Sequence, residues 1–433
     1  MTSTPATPPP TIGSGHEGSI RDQFTAYFRG IRQGEMGALP AIGGFVVLVI
    51  LFTILNQDGA RQTFLTPLNF ANLLTQAATL MMLAMALVFV ILLGEIDLSA
   101  GVTSGVGASI FIVLVHNFHV NWIAALIVAL LTGFSIGTFI GVFVAKVGIP
   151  SFVVTLGLFL GFQGLQLIII GTGGAYRIGN ETPEVSAIMN KNLPIWLGWT
   201  FLVIALALAV GISLWDRARR ARAGVANRPL ALMWVRLGAI SIAGVLFVAL
   251  LSLNRAPSRG SINGVVIQTN AIEGVPIVVP IAVAILWAGT FVLDRTRFGR
   301  HLYAVGGNPE AARRAGIKVA MIRIIAFMTC STLAIVSGIF DASRIGVVTA
   351  ATGSQIVLSG VAAAVVGGVS LFGGRGRLTH AAIGALVIAV IANGLGLLGL
   401  PAGANYLVTG GVLILAAAFD AVSRKRAGGQ LTR

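Results

Sequence analysis

The sequence predicts an all-α polytopic membrane protein with about 12 transmembrane helices (10–12). Three observations carry that class. Only 10% of the 433 residues are charged while 56% are hydrophobic. Apolar runs of about 20 residues, the length that crosses a bilayer, recur along nearly the whole chain. The basic residues gather on one side of the layout those runs define. A soluble protein needs about 25% charged residues to face water. An ordinary soluble enzyme and a disordered scaffold are therefore excluded. The net charge of +15 would suit a nucleic-acid partner, but its placement speaks for topology instead. The single cysteine, Cys330, excludes a disulfide framework and a cysteine-based metal site.

Taken in chain order, residues 1–38 read as a partly disordered cytoplasmic tail rich in Pro, Thr, Ser and Gly. The transmembrane domain covers 39–421, and a basic cytoplasmic tail follows over 422–433. Apolar runs lie near 39–56, 74–93, 101–117, 122–145, 151–171, 196–215, 237–253, 276–294, 323–340, 355–372, 379–399 and 403–421. Several are short or glycine-rich, which leaves broken or re-entrant segments open, notably at 69–93 and 101–117. With alternating spans and both termini cytoplasmic, 23 of the 29 Lys and Arg fall on the cytoplasmic side. Removing one span would invert every later loop and spoil the split. Trp122, Trp196 and Trp199 then sit at outer interfaces and Trp215 at an inner one, while Trp287 falls mid-span as a packing residue. Gly133, Gly137 and Gly141 form a small-residue stripe, and Gly157 with Gly161 another, both suited to close helix packing inside one bundle.

Several familiar patterns fail. Two G-x-G-x-x-G matches, at Gly13–Gly18 and Gly394–Gly399, lack the strand–turn–helix context of dinucleotide binding. No phosphate loop of the G-x-x-x-x-G-K-[ST] type occurs, so the chain has no ATP site of its own, and no cofactor is expected. The five histidines show no metal spacing, and no compact polar cluster inside a span suggests membrane-embedded catalysis.

Three segments break the apolar monotony. In Gly94-Glu-Ile-Asp-Leu-Ser-Ala-Gly101, two carboxylates follow a span, where burial in hydrocarbon costs roughly 2.5–3.5 kcal/mol each. Asp97 reads either as a cap accepting amide protons around Ser99, or as a gating or substrate-path residue. The loop over 295–322 contains a short helix with strong end signals. Asn308 is its N-cap, Pro309 its first residue, Glu310 the acid at its positive end, and Gly316 its stop. Ala311 and Ala312 with Ala315 make it a small-surfaced knob for a partner, and the plainer reading is a solvated basic loop. The third segment, Val365 to Arg377, is a glycine-rich bend. Gly94/Gly367, Leu98/Leu371 and Gly101/Gly374 align at a constant offset of 273, and Val154–Gly157 echoes Val408–Gly411 more loosely. A pseudo-repeat of two halves would account for both.

With these residues in view, the chain resembles the permease subunits of bacterial sugar ABC importers, the ribose, galactose and xylose group. The matching stretches are Gly94–Ser99, Ile149–Gly157, Thr296–Ala312, Gly367–Gly376 and Asn393–Gly399. The extra helix pair near 196–253 looks most like the xylose-type permease. The resemblance implies a homodimeric channel in the bacterial inner membrane that receives a monosaccharide from a periplasmic sugar-binding protein. It also implies a separate cytoplasmic ABC ATPase subunit that hydrolyses the ATP, with the helix at Asn308, Pro309, Glu310, Ala311, Ala312 and Gly316 as the coupling element docked on it. Partners would thus be those two proteins, a second permease copy and the lipid bilayer, with no nucleic acid. The chain departs from the group at Gln355, where an acid is usual, and near His380, where small residues are usual. Asp97, Gln163 and Asn393 are the candidate gating or pathway residues. The reading from another class is an ion-coupled secondary transporter of a small polar solute, for which Glu95 and Asp97 are the nearest titratable groups.

Overall fold

The computed structural model describes residues 39–56, 64–224, 230–256, 261–262, 265–266 and 271–428. The expected N-terminal tail lies outside them. Twelve apolar helices organise the described residues: α1 (Leu39–Leu55), α2 (Pro67–Ile91), α3 (Ala100–His116), α4 (Trp122–Val142), α5 (Ser151–Ile170), α8 (Ile195–Arg222), α9 (Leu230–Ser252), α10 (Val278–Arg295), α13 (Val319–Ile345), α14 (Ile356–Val366), α15 (Leu378–Leu397) and α16 (Ala402–Gly428). Four short helices fill connections: α6 (Ile178–Glu181), α7 (Pro183–Asn190), α11 (Arg297–Gly307) and α12 (Pro309–Arg314). Eight helices are long and apolar enough to cross a membrane. The apolar stretches of α1, α3, α14 and α16 are shorter.

Contacts at helix ends sort the connections into two faces. On one, β1 (Ala175–Arg177) pairs antiparallel with β4 (Val347–Thr349), and a separate short pair joins β2 (Ser261–Ile262) to β3 (Val265–Val266). His116, closing α3, meets the Tyr176 ring edge-on with centroids 5.1 Å apart. On the other, the Gly374 amide donates to the Leu92 carbonyl at 2.8 Å, and Arg323 pairs with Glu95 at 3.3 Å. Every contact agrees with strict alternation of the twelve helices. The second face collects the arginine-rich loops and is called the basic face below.

The core is built where α2, α3, α13, α14 and α15 meet. Residues Met82 to Leu92 of α2 are all but absent from the surface. A helix that is apolar all round belongs in the middle of a bundle, and α2 is one. It starts earlier than its hydropathy suggests, because Thr66 accepts the Asn69 amide at 3.2 Å and Pro67 sits at the first position. Helix α2 runs unbroken through 25 residues, and the chain's interruption falls between it and α3, at 92–99. Across its top, Asn69 and Asn393 exchange two amide hydrogen bonds of 2.9 and 3.0 Å, joining α2 to α15.

The glycine stripe of α4 packs onto α13 as expected. A Cβ at Gly137 would overlap the Phe327 carbonyl and Met328 backbone, and one at Gly141 would lie 2.6 Å from Ile324 Cα. Gly157 and Gly161 of α5 do not behave this way: nothing lies within 4 Å of their Cβ positions, and the neighbouring Leu156 and Leu160 are exposed. Trp287 also differs from expectation, being half exposed beside Phe291 rather than packed in the core.

Two runs of four helices have the same plan. In α2–α5 and in α13–α16, a long helix leads through a non-helical break into a short one, and two further helices follow. The packing is equivalent too: α13 lies on α4 as α2 lies on α15, and α3 touches α5 as α14 touches α16. Because α2 and α13 start from opposite faces, the two runs are inverted. This pseudo-repeat replaces the register read from the sequence, whose offset of 273 equates the α2–α3 joint with the α14–α15 joint. Those glycine-rich joints resemble each other because they meet at one place, where a Cβ added at Gly373 would lie 2.7 Å from the Gly94 nitrogen and one at Gly94 would lie 3.3 Å from the Phe372 carbonyl oxygen.

The expected span at 355–372 is the other correction. Helix α14 has only 11 residues, and 367–377 is a turn-rich loop of five positive-φ or tightly packed glycines. Helix α16 continues to Gly428 within the basic C-terminal segment, and residues 429–433 lie outside the described ones.

Candidate functional site

Each break is made by local chemistry. After α2, the chain leaves the helix at Gly94, whose φ of +75° suits glycine alone. Asp97 then turns back on the chain and accepts from the Ser99 amide at 2.9 Å and the Ser99 hydroxyl at 2.6 Å. Its second oxygen takes the Cys330 thiol of α13 at 3.8 Å. Asp97 is wholly buried. Cys330 is the twelfth residue of α13, so at about 1.5 Å per residue the carboxylate lies some 16 Å along that helix. The carboxylate occupies the positive end of α3 and offsets its orphan amides, which is the capping alternative read from the sequence.

Helix α5 braces this break from outside. Ser151 accepts the Ile96 amide at 3.2 Å and Thr155 donates to the Ile96 carbonyl at 3.3 Å. Further along, Gln166 donates from one amide nitrogen to the carbonyls of Val102 at 3.0 Å and Thr352 at 3.2 Å. Gln166 thereby ties α3 to the second break. That break dips in from the opposite face after β4 and reaches Gly353, where the chain takes φ +81°. Thr352 accepts the Thr349 amide at 2.9 Å to hold the turn. Gly101, Gly105 and Gly353 let the two segments touch backbone to backbone, since a Cβ at Gly105 would overlap both the Thr352 carbonyl and Gln166. The helices that follow the breaks, α3 of 17 residues and α14 of 11, thus have their N-termini near one another inside the bundle, the arrangement that transporters use around their solute routes.

The three candidate pathway residues do not converge. Asp97 is the cap just described. Asn393 is spent on Asn69 near the face opposite the basic one. Gln163, half-buried on α5, makes no side-chain hydrogen bond among the described residues. Gln166, one turn on, carries the contact between the breaks. No local pattern singles it out, since its two carbonyl partners lie 64 and 186 residues away. The second break was missed because its residues are small and uncharged, with Gly346 and Gly353 as the available signals.

On the basic face, α11 and α12 form one unit. Thr296 caps α11 by accepting the Gly299 amide at 3.3 Å. Asn308 caps α12 by accepting the Ala311 amide at 2.9 Å, Pro309 is its first residue, and Gly316 leaves it at φ +81°. The helix read from the sequence is present, and a second, α11, precedes it. Glu310 pairs with Arg313 at 3.1 Å and Arg314 at 3.4 Å, all three exposed. Ala311, Ala315 and Gly316 face outward, whereas Ala312 is 5% exposed and seats the helix against the bundle. The Tyr303 hydroxyl donates to the Gly376 carbonyl at 2.8 Å, fastening α11 to the glycine-rich bend. Burial pushes that phenol up to about 12, with Asp294 adding to the shift, so it stays a donor at any physiological pH. The Gly306 Cα approaches the Leu92 carbonyl so closely that a Cβ would overlap it. The α11–α12 unit is therefore in direct contact with the end of α2, beside the first break.

A family profile described as "Branched-chain amino acid transport system / permease component" matches residues 69–232 and 229–417. The chain belongs to this permease family. The permease is 31% identical over 401 residues to the xylose transport system permease protein of Escherichia coli (strain K12), covering 92% of this chain and 95% of that protein. The xylose transport system permease protein of Haemophilus influenzae is 30% identical over 381 residues, 88% of this chain and 95% of that protein. The ribose import permease protein of Escherichia coli (strain K12) is 29% identical over 379 residues, 87% and 92%. No solved structure matches the permease significantly. The architecture and the relatives agree on a multi-span membrane transport subunit.

Proposed function

We propose that this permease is the translocating subunit of an ATP-driven ABC importer for an aldopentose, xylose being the first solute to test. The observation that carries the reading is similarity over 92% of the chain to a xylose transport system permease, with a ribose import permease also similar. The named solutes of both relatives are aldopentoses. ATP would be hydrolysed by a separate cytoplasmic subunit, and the sugar would arrive from a periplasmic binding protein at a permease homodimer. The basic face is then cytoplasmic, in a bacterial inner membrane, with both termini on that side.

Helix α12 is the proposed docking element, through Asn308, Pro309, Glu310, Ala311 and Gly316, with Ala312 seating it. Its small exposed surface fits a socket, and the contact of Gly306 with Leu92 gives any push on α12 a direct route to the first break. Gln163 is the proposed pathway residue, while Asp97 holds the first break and Asn393 joins α2 to α15.

The test is uptake by proteoliposomes containing the permease, its ATPase and its binding protein. ATP-dependent accumulation of labelled xylose, lost on omitting either partner, is expected. Uptake that follows an ion gradient and ignores ATP would overturn the reading in favour of secondary transport. Replacing Gly316 by Leu forces a side chain into the left-handed region at about 1–2 kcal/mol. That variant should insert normally yet uncouple, its ATPase no longer stimulated by the loaded binding protein.

A further inference from the structure

The α8–α9 hairpin stands apart from the bundle that the break and coupling helices form. It is fastened at two places. On the face opposite the basic one, Val248 and Leu251 pack on Ala71 and Val275, and Phe70 meets Phe247 edge-on at 5.8 Å. At the basic face, Asp216 of α8 grips Arg295 of α10 through a two-pronged ion pair. Between those points α8 is exposed, with Val203, Ile204 and Leu208 turned outward to hydrocarbon.

The last turns of α8 change character abruptly. Leu214 and Trp215 are about half exposed, and Arg219, Arg220 and Arg222 follow within two turns, all exposed. The Arg219 guanidinium lies over the Trp215 ring, 5.9 Å from its centroid. Asp216 is the only acid on the hairpin's described residues at this end, and Arg295 already engages it. Trp234 of α9, also about half exposed, lies one turn into the returning helix.

We propose that this end of the hairpin binds the headgroup of an anionic phospholipid, with Arg219, Arg220 and Arg222 around the phosphate and Trp215 at the acyl boundary. Depth favours a lipid over an acidic protein surface. The arginines continue a lipid-facing helix without a break, so they emerge at headgroup level, where indole rings also settle. Charge favours an anion, because among the described residues of the hairpin the one acid at this end, Asp216, is engaged chiefly by Arg295 and attracts Arg219 and Arg220 only more weakly. A stacked Arg219 is also held in place before the lipid arrives, which lowers the entropic cost of binding. The site abuts α10, whose last residue leads directly into α11, so occupancy would stiffen the root of the α11–α12 unit.

The test uses the full-length permease in neutral detergent, titrated with fluorescent phosphatidylglycerol and, separately, phosphatidylcholine. Replacing Arg219, Arg220 and Arg222 together by Gln should weaken phosphatidylglycerol binding about 100-fold, at about fivefold per arginine. The triple Lys replacement should retain most of it. As a charge-matched control, Arg424→Gln, Lys425→Gln and Arg426→Gln together should change it little. Equal loss in that control would reduce the effect to net charge and overturn the proposal. Equal displacement by inorganic phosphate would make it a free-anion site, and loss of ATPase co-purification in lipid-free detergent would make it a protein site. Either result overturns the lipid assignment, as does unaltered binding by the Gln triple variant.

Discussion

The two breaks occupy equivalent places in the inverted repeat, yet they are built differently. The break between α2 and α3 depends on a side chain: Asp97 holds Ser99 by two hydrogen bonds, and Glu95 reaches Arg323. The break between α13 and α14 depends on backbone: Gly346 and Gly353 take φ of +82° and +81°, and β4 pairs with β1. Helix α14 begins at Gln355 with no side-chain cap, and the Gln355 side chain instead accepts from the Tyr406 hydroxyl of α16. One break is thus set by polar chemistry close to the basic face and the α11–α12 unit, the other by glycine conformation near the opposite face. Side-chain changes should separate them by their cost.

The largest effect is expected where the breaks touch. Gly353→Val places a β-branched residue at positive φ and drives its Cβ into the Gly101 carbonyl. Strain and overpacking together should cost about 3–5 kcal/mol. The variant should fail to give a monodisperse peak on size exclusion in detergent. A monodisperse, thermally unaltered Gly353→Val protein would mean that the breaks are not in contact.

Asp97→Ala comes next. It leaves the buried Ser99 amide and hydroxyl without their acceptor, at about 1–3 kcal/mol. Asp97→Asn keeps one acceptor oxygen and should lose distinctly less. Thermal unfolding in detergent ranks the pair. If Asn is as damaging as Ala, the carboxylate has a role beyond capping, and the gating alternative returns.

Glu95→Gln is milder, since Arg323 is partly exposed. The double-mutant cycle with Arg323→Gln should give a coupling of about 0.5–1.5 kcal/mol, discounted for solvent screening. No measurable coupling would assign the first break to Asp97 alone.

The helices were legible because the bilayer forces runs of one length, and the arginine count fixed their parity. The cap residues of α12 were equally legible, since Asn308, Pro309 and Gly316 act on their nearest neighbours. The breaks were not. Asp97 could be singled out as a charge in the wrong solvent, but its Cys330 contact spans 233 residues. The second break contains no charge, and hydropathy passed over Gly353 and placed a full span where α14 has 11 residues. The repeat was sought in sequence identity, whereas it survives in the order and packing of helices, which side-chain divergence does not erase. Gln166 shows the same limit: its importance rests on two carbonyls that no local pattern indicates.

The smallest expected effect tests the least protected end of the second break. Gln355 is exposed, and its bond to Tyr406 bridges two helices at the surface. Gln355→Ala and Tyr406→Phe each remove that bond while leaving the glycine-borne turn intact. Each should shift stability by about 0.5 kcal/mol or less, and together they should cost no more than either alone, because they delete one interaction. Thermal unfolding of the two single variants and the double supplies the comparison. A loss above about 2 kcal/mol for either, the size of a buried cap, would show that α14 depends on side-chain chemistry as α3 does. The contrast between a polar break and a glycine break would then fail.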